Sequence, residues 1–349
     1  MVTPITRPGQ TNGAGADDAQ FLRLFSNEVL TAFHQKNKLM PFGRVRTLTN
    51  GKSATFPVTG TAGTAYHEVG ESVFGTDDGG ATRPYLSAIL SKEREIHVDD
   101  ELLSGTFVPS IDHLKNHWDE RSIYVNEIAT ALADKADNNI ARTLFAAALA
   151  DPDDTGFSSM AAADKVNTSY TDATVGASVA GFAFDTAQLF DENNIPEDGR
   201  ILLVRPSQYY ALAAETDLVN RDWGGAGNGS YPDAQILKVA GFTIIMSNSL
   251  PNSDEETGVG TSMDGVRNDP FGTGAGYAAP AAAASVATQL GAIAFQTEAI
   301  GSVKMKELST ESEYFMERRG HLLLSSYMMG HDVLRAECAA WMKVTAGNI

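Results

Sequence analysis

The chain has 349 residues, with 26 Lys and Arg against 44 Asp and Glu, a formal net charge of −18, and one cysteine, Cys338. That length allows a buried core and two or three compact units, while the single cysteine excludes an intramolecular disulfide framework and any multi-cysteine zinc site. The charge-poor stretches are too weakly apolar to span a bilayer and the first residues lack the apolar core of a signal peptide, so we expect no membrane partner and a reducing compartment.

The acidic residues are concentrated in the middle of the chain. Residues 101–300 hold 27 acidic and 10 basic residues, whereas residues 29–67 hold five basic residues and no acid: Lys36, Lys38, Arg44, Arg46 and Lys52. Such a basic run is often only a solvated surface. The alternative is that the basic segment of one subunit attracts the acidic body of another. Because clustered cations bind phosphate backbones, this charge balance disfavours a nucleic-acid reader.

The first hundred residues predict an arm, a helix and a ribbon. Residues 1–20 are rich in Gly, Thr, Asn and Asp, which is typical of a flexible arm. Apolar residues at 3–4 spacing predict a helix over 21–36, and the dipeptide Asn50-Gly51 predicts a hairpin turn. Two extended runs, 53–58 and 88–98, flank a glycine-rich tip and predict a long two-stranded ribbon.

The second run of the ribbon is strongly charged. It contains Lys92, Glu93, Arg94 and Glu95, and neither of its faces is apolar enough to form a core. A two-stranded ribbon is marginally stable alone in water. We therefore expect the ribbon to lie on another surface, most naturally that of a partner subunit.

The remaining elements mix helices and strands. Apolar residues recurring at spacings of 3, 4 and 7 predict a helix over 110–150, a rod of roughly 50 Å. Further helices are predicted at 184–194 and 206–216, and strands at 200–204, at 239–246, from 295 and over 303–317. The tail at 322–327 and 339–344 is predicted to be extended or mixed, and 153–181 and 252–276 are predicted loops. No regular βαβ period is present, so the predicted fold class is α+β.

No motif in the sequence predicts catalysis. Gly51-Lys52-Ser53 lacks the upstream glycine of a phosphate loop, since Arg46 occupies that position. His113 and His117 have the spacing of metal ligands, but the residue after the first histidine is Leu114 rather than the glutamate of zinc hydrolases. Two ordinary helix histidines are the favoured interpretation and a metal-dependent hydrolase is the alternative. We predict no enzyme and no cofactor, with Cys338 a packed thiol.

Five collinear stretches resemble one known family. They are GKSATFPV at 51–58, NHWDERS at 116–122, VAGF at 239–242, GSVK at 301–304 and YMMGH at 327–331. In this order and spacing the chain resembles the major capsid proteins of T7-like short-tailed bacteriophages (podoviruses), which have the Hong Kong 97 (HK97-like, Johnson) fold.

The resemblance implies a domain plan and a function. The plan comprises an N-terminal arm (1–43), an extended hairpin loop (44–98), a peripheral domain with a spine helix (99–160 and 295–320), and an axial domain (161–294 and 321–349). The implied function is a self-assembling icosahedral phage head of hexamers and pentamers, located in the virion and assembled in the host cytoplasm. The implied partners are further copies, a scaffolding protein, a portal, enclosed double-stranded DNA and, in some relatives, a cement or decoration protein. An encapsulin-like compartment shell is the alternative within the same fold.

The charged residues singled out above become the interface hypothesis. The residues expected at subunit contacts are Lys36, Lys38, Arg44, Arg46, Lys52, Lys92, Glu93, Arg94 and Glu95.

Overall fold

A computed structural model of the chain describes residues 37–59, 66, 67, 69, 91–109, 120–150, 162–170, 172–215, 229, 230, 235, 236, 238–251 and 288–345. Its helices are α1 (Glu120–Leu149), α2 (Gly176–Glu192) and α3 (Pro206–Ala214). Its strands are β1 (Arg44–Thr47), β2 (Ser53–Thr59), β3 (Ser91–His97), β4 (Leu102–Pro109), β5 (Val166–Asn167), β6 (Arg200–Val204), β7 (Gly229–Ser230), β8 (Gln235–Ile236), β9 (Lys238–Val239), β10 (Phe242–Met246), β11 (Leu290–Gln296), β12 (Ile300–Phe315), β13 (Gly320–Val333) and β14 (Ala339–Lys343). Mixed helices and strands confirm the predicted α+β class.

A six-stranded sheet in the order β5-β14-β11-β6-β10-β9 carries the larger core. Strands β6 and β10 run parallel, while β11 is antiparallel to both β6 and β14. All five residues of β6 are buried, and the four after Arg200 form a continuous apolar run, as expected for a strand covered on both faces. Helix α2 packs against this core through Phe190, whose ring centroid lies 5.9 Å from that of Phe242 on β10.

A four-stranded sheet in the order β1-β12-β13-β4 forms the second layer. Strand β12 pairs in parallel with β1 and antiparallel with β13, which in turn pairs with β4. Strand β13 belongs to the four-stranded sheet because it pairs with β12. Strand β11 belongs to the six-stranded sheet because it pairs with β6. The domain boundaries given by the resemblance stay a prediction.

Helix α1 joins the two sheets. The apolar residues of its first half, including Ile128 and Leu132, pack on Leu323 of the four-stranded sheet. In its second half, Phe145 meets Trp341 of β14 edge to face, with ring centroids 5.8 Å apart. The predicted long helix is confirmed from residue 120 onward, and its first ten predicted residues lie outside the described part. At 30 residues, α1 is about 45 Å long.

A buried lysine closes the C-terminal end of α1. Lys165 is 1% exposed, and its Nζ donates hydrogen bonds to the carbonyl oxygens of Ala147 at 2.6 Å and Ala150 at 2.8 Å. The last carbonyls of a helix have no partner within the helix and carry partial negative charge. The ammonium group therefore satisfies them and complements the helix dipole.

A buried arginine holds two distant chain positions together. The Arg205 guanidinium donates to the carbonyl oxygens of Leu290 at 2.5 Å and Pro251 at 2.7 Å, and Gln208 adds a bond to Gly291. Burial lowers the pKa of Arg205 to about 10, so it remains a cation at neutral pH. The residues on either side of 252–287 are thus bound to one side chain.

Three local predictions differ from the structure. Asn50-Gly51 does not turn β1 back onto β2, because β1 pairs with β12 instead. The strand predicted over 239–246 is two strands joined by a two-residue turn, in which Ala240 (φ 47°) and Gly241 (φ 84°) are both left-handed, as a type I′ hairpin requires.

Helix α2 also begins eight residues before its predicted start, inside the predicted loop. Its first residue is Gly176, where a side chain would come within 2.3 Å of the Ala211 carbonyl oxygen. Glycine therefore permits close contact between α2 and α3.

Candidate assembly surfaces

The root of the ribbon, formed by β2 and β3, packs on its own chain. The pairs Ala54 with Ile96 and Phe56 with Arg94 place these side chains on one face of the ribbon. Ala54, Phe56, Val58, Ile96 and Val98 are buried in a cluster with Val303 and Leu334. The expectation that the ribbon lies on a partner subunit is therefore wrong for the root, which packs on its own chain. Most of its apolar face comes from β2, with Ile96 and Val98 from the second run, and residues near 303 and 334 cover it.

A glycine makes this packing possible. A Cβ atom at Gly301 would lie 2.5 Å from Cδ1 of Ile96, so the absence of a side chain leaves the notch that Ile96 occupies. Arg94 strengthens the attachment, because its Nε donates to the Val333 carbonyl oxygen at 3.0 Å. Of the rest of the ribbon, the structure describes only residues 66, 67 and 69.

The charged residues of the interface hypothesis fall into two groups. Arg46, Lys52, Glu93 and Glu95 lie exposed at or beside the root, where the Arg46 guanidinium stands 5.9 Å from the centre of the Phe56 ring. Glu95 accepts a hydrogen bond from the Ser53 hydroxyl at 2.5 Å, across the ribbon.

The second group contacts other parts of the same chain. Lys38 Nζ donates to the Met246 carbonyl oxygen at 3.2 Å, and Arg44 lies 3.9 Å from Glu298. Lys36 and the side chain of Lys92 lie outside the described part. With Arg94, which binds Val333 from the root, the structure thus clusters five of the nine residues at the ribbon root. A role for any of the nine between subunits stays a prediction.

A surface that the sequence analysis missed lies on the four-stranded sheet. We call the side of this sheet away from α1 the outer face. Residues paired directly across antiparallel strands share a face, and the pairs Leu103 with Ser326, Gly105 with Leu324, and Phe107 with Leu322 belong to the outer face. Leu103 is 54% exposed, and Phe107, Leu322 and Leu324 are half-buried. The outer face is therefore an apolar strip.

Acidic side chains border this strip. Glu311 pairs with Leu324 and Glu313 with Leu322, so both carboxylates belong to the same face, on β12. The run of three leucines at 322–324 could have indicated this surface from the sequence. Consecutive residues of a strand point to opposite faces, so three leucines in a row make both faces apolar, and a strand that is apolar on both faces is covered on both sides.

The described residues give no sign of a catalytic centre. A cleft of about 300 Å³ beside α2 contains Asp185 and Glu192, which accept hydrogen bonds from Asn167 at 2.9 Å and Gln188 at 2.7 Å. Within the described ranges, His, Cys, Asp and Glu form no cluster of three or more able to hold a metal ion, and no helix is long and apolar enough to cross a membrane. Cys338 is buried, and burial raises its pKa to about 12, as suits a packed thiol. His113 and His117 lie outside these ranges.

Comparison with known proteins identifies the family. Residues 55–343 match the family described as Gp10A-like major capsid protein. The chain belongs to this family.

Individual relatives agree with the assignment. The chain is 27% identical to the major capsid protein of Enterobacteria phage T3, over 96% of this chain and 94% of the relative. The capsid of cyanophage P-SCSP1u is similar in structure, with a TM-score of 0.67, 29% identity, and 89% of each chain covered. The mature capsid of bacteriophage PhiM1, at 15% identity and a TM-score of 0.62 over 88% of this chain and 87% of that one, shows the same fold.

The family membership decides between the alternatives. This is a structural major capsid protein of the T7-like type with the HK97-like fold, and its homologues are structural proteins, not enzymes. The hydrolase and the compartment shell are therefore not supported. Capsid shells are built from many copies of such chains, so homo-oligomeric assembly in the virion capsid follows for this protein.

Proposed function

We propose that this capsid protein builds its shell by placing the ribbon of one copy on the outer face of the next. The observation that carries the proposal is the apolar strip around Leu103, which is exposed in the single chain beside a ribbon whose root is firmly held. Residues 60–90, beyond the root, are the part of the ribbon that would reach the neighbour. In this arrangement, the root of the ribbon is fixed to its own chain while its extension covers the next copy. This is a head-to-tail contact, and such contacts close into rings.

Charge complements this arrangement. The root presents Arg46 and Lys52 beside Glu93 and Glu95, and the outer face carries Glu311 and Glu313 along its border. Pairing of Arg46 and Lys52 with Glu311 and Glu313 of a neighbouring copy would set the orientation of the two copies. Lys36, Lys38, Arg44, Lys92, Glu93, Arg94 and Glu95 would add to the contacts between copies. Lys38 and Arg44 also contact their own body.

The assembled rings would be the hexamers and pentamers of an icosahedral head. The proposed partners are a scaffolding protein during growth, a portal, and double-stranded DNA inside the finished head, with a cement protein outside as a further possibility and assembly in the host cytoplasm. The net charge of −18 supports enclosure of DNA without binding, because an acidic surface repels the phosphate backbone.

The decisive experiment changes Leu103. Its side chain is 54% exposed, so Leu103→Asp should leave the fold intact while placing an uncompensated charge under the neighbour's ribbon. We expect folded but unassembled protein by circular dichroism and negative-stain electron microscopy. Leu103→Met, which keeps an apolar side chain of similar volume at the same position, should still form particles. Normal particles from Leu103→Asp would contradict the proposed contact.

A second experiment tests the basic segment. Reversing Lys36, Lys38, Arg44 and Arg46 to glutamate should stop shell assembly while the single chain stays folded, because the described members of this set are exposed. The measurement is particle formation by electron microscopy, with circular dichroism as the control for folding. Unchanged particle yield would show that the attraction between basic segment and acidic body is not needed.

A further inference from the structure

A buried carboxylate on α1 holds the chain where it enters the described structure. Asp137 is 4% exposed, and its two carboxylate oxygens accept hydrogen bonds from consecutive backbone amides, Lys38 N–H at 2.9 Å and Leu39 N–H at 3.1 Å. Leu39 is 1% exposed and packs in the larger core. The two ends of this contact lie almost a hundred residues apart in sequence, so it is a tertiary clamp and not a local turn.

The Asp137 carboxylate and the two backbone amides satisfy each other's hydrogen-bonding needs. A buried carboxylate is costly unless donors satisfy it, and backbone amides buried away from water equally need acceptors. Burial raises the pKa of Asp137, while the two backbone hydrogen bonds act in the opposite direction. Next to the clamp, the Asn37 side chain accepts a bond from the Met40 amide at 2.9 Å, which closes a short turn.

The segment that follows the clamp has no fully buried side chain after Leu39. We call residues 37–48 the strap; it contains β1 and lies along the start of β12. All four residues of β1 are exposed, and the strap ends with a hydrogen bond from the Leu48 amide to the Lys304 carbonyl oxygen at 2.8 Å. The ion pair between Arg44 and Glu298 spans 3.9 Å with the arginine side chain 62% exposed, and such exposed pairs contribute little to stability.

We propose that the strap is one releasable unit and that Asp137 is the clamp that keeps it closed. With the clamp closed, β1 covers the first residues of the β12 edge. With the clamp open, the strap is still held by the burial of Leu39, the bond from Lys38 Nζ to the Met246 carbonyl oxygen, the pairing of β1 with β12 and the exposed ion pair. These contacts then open together, so β1 leaves β12 with residues 37–43. In the open form, residues 37–48 would be detached from the four-stranded sheet.

Hydrogen exchange on the unassembled protein tests the proposal. Asp137→Ala removes both acceptors, and Asp134→Ala, an exposed acid three residues earlier on the same helix, is the matched control. In Asp137→Ala we expect the amides of Lys38, Leu39 and Leu48 to exchange on the order of 10- to 100-fold faster, because hydrogen bonds to a charged acceptor are lost. The amides of β11 should keep their rates, and Asp134→Ala should exchange like the wild type.

Two results would overturn the proposal. One is loss of protection at Lys38 and Leu39 with unchanged protection at Leu48, which would show that the clamp does not control β1. The other comes from the wild-type protein and needs no variant: if low urea opens the Lys38, Leu39 and Leu48 amides with different urea dependences, the strap is not one unit. Because the measurement uses unassembled chains, it is independent of whether the proposed ribbon contact forms.

Discussion

Lys165 offers a direct test of how α1 is held at its C-terminal end. In Lys165→Met the side chain keeps most of its volume but loses the ammonium, so the carbonyl oxygens of Ala147 and Ala150 lose their donor inside the protein. Hydrogen bonds to a charged group contribute about 1.5–3 kcal/mol each, and relief from burying the ammonium offsets part of the total. We expect a net loss of about 3 kcal/mol in the free energy of unfolding. For a chain of this size that corresponds to a fall in Tm of roughly 5 °C.

Urea and thermal unfolding of the unassembled protein, followed by circular dichroism, measure this loss. Lys343→Met is the control, because Lys343 lies exposed at the end of β14 and should change stability by less than about 0.5 kcal/mol. If Lys165→Met unfolds within that same margin of the wild type, the lysine does not stabilise the helix terminus and the reasoning from its two hydrogen bonds is refuted.

Two further predictions concern the strand pair β12 and β13. His331 is fully buried beside the Ser302 hydroxyl, and burial lowers its pKa to about 4. Between pH 6.5 and pH 4, His331 is therefore protonated in the unfolded chain but neutral in the folded chain. Stability should therefore fall by about 2 kcal/mol between pH 7 and pH 5; His331→Gln should flatten this slope in urea unfolding, and an unchanged slope would exclude His331 as its source. Gly301→Ala should cost about 1–3 kcal/mol by pushing Ile96 out of its notch, and should raise hydrogen exchange in β3; equal exchange in variant and wild type would show that the root does not depend on the notch.

The sequence predicted the elements whose signals are local. The run 200–204, apolar from Ile201 onward, is β6, and the proline-initiated helix after it is α3. The 3–4 spacing of apolar residues gives α1 over its described length. The family resemblance predicted the fold and the structural role, which the family match confirms.

The contacts that depend on distant residues could not be predicted. The face of Phe56 is covered by Val303 and Leu334, which are hundreds of residues away, and nothing near the ribbon indicates them. Asp137 and Lys165 look like ordinary charged surface residues in sequence, because the amides and carbonyl oxygens that satisfy them belong to remote or terminal backbone positions. The apolar outer face was missed because β4 was not predicted as a strand, and its leucine and phenylalanine become a surface only beside β13.

The position of Arg205 has a practical consequence for engineering. Since Pro251 and Leu290 bind the same guanidinium, a polypeptide inserted between them starts and finishes at nearly one point in space. Foreign peptides grafted there would impose little strain on the six-stranded sheet. Each particle would then carry as many copies of the graft as it has subunits.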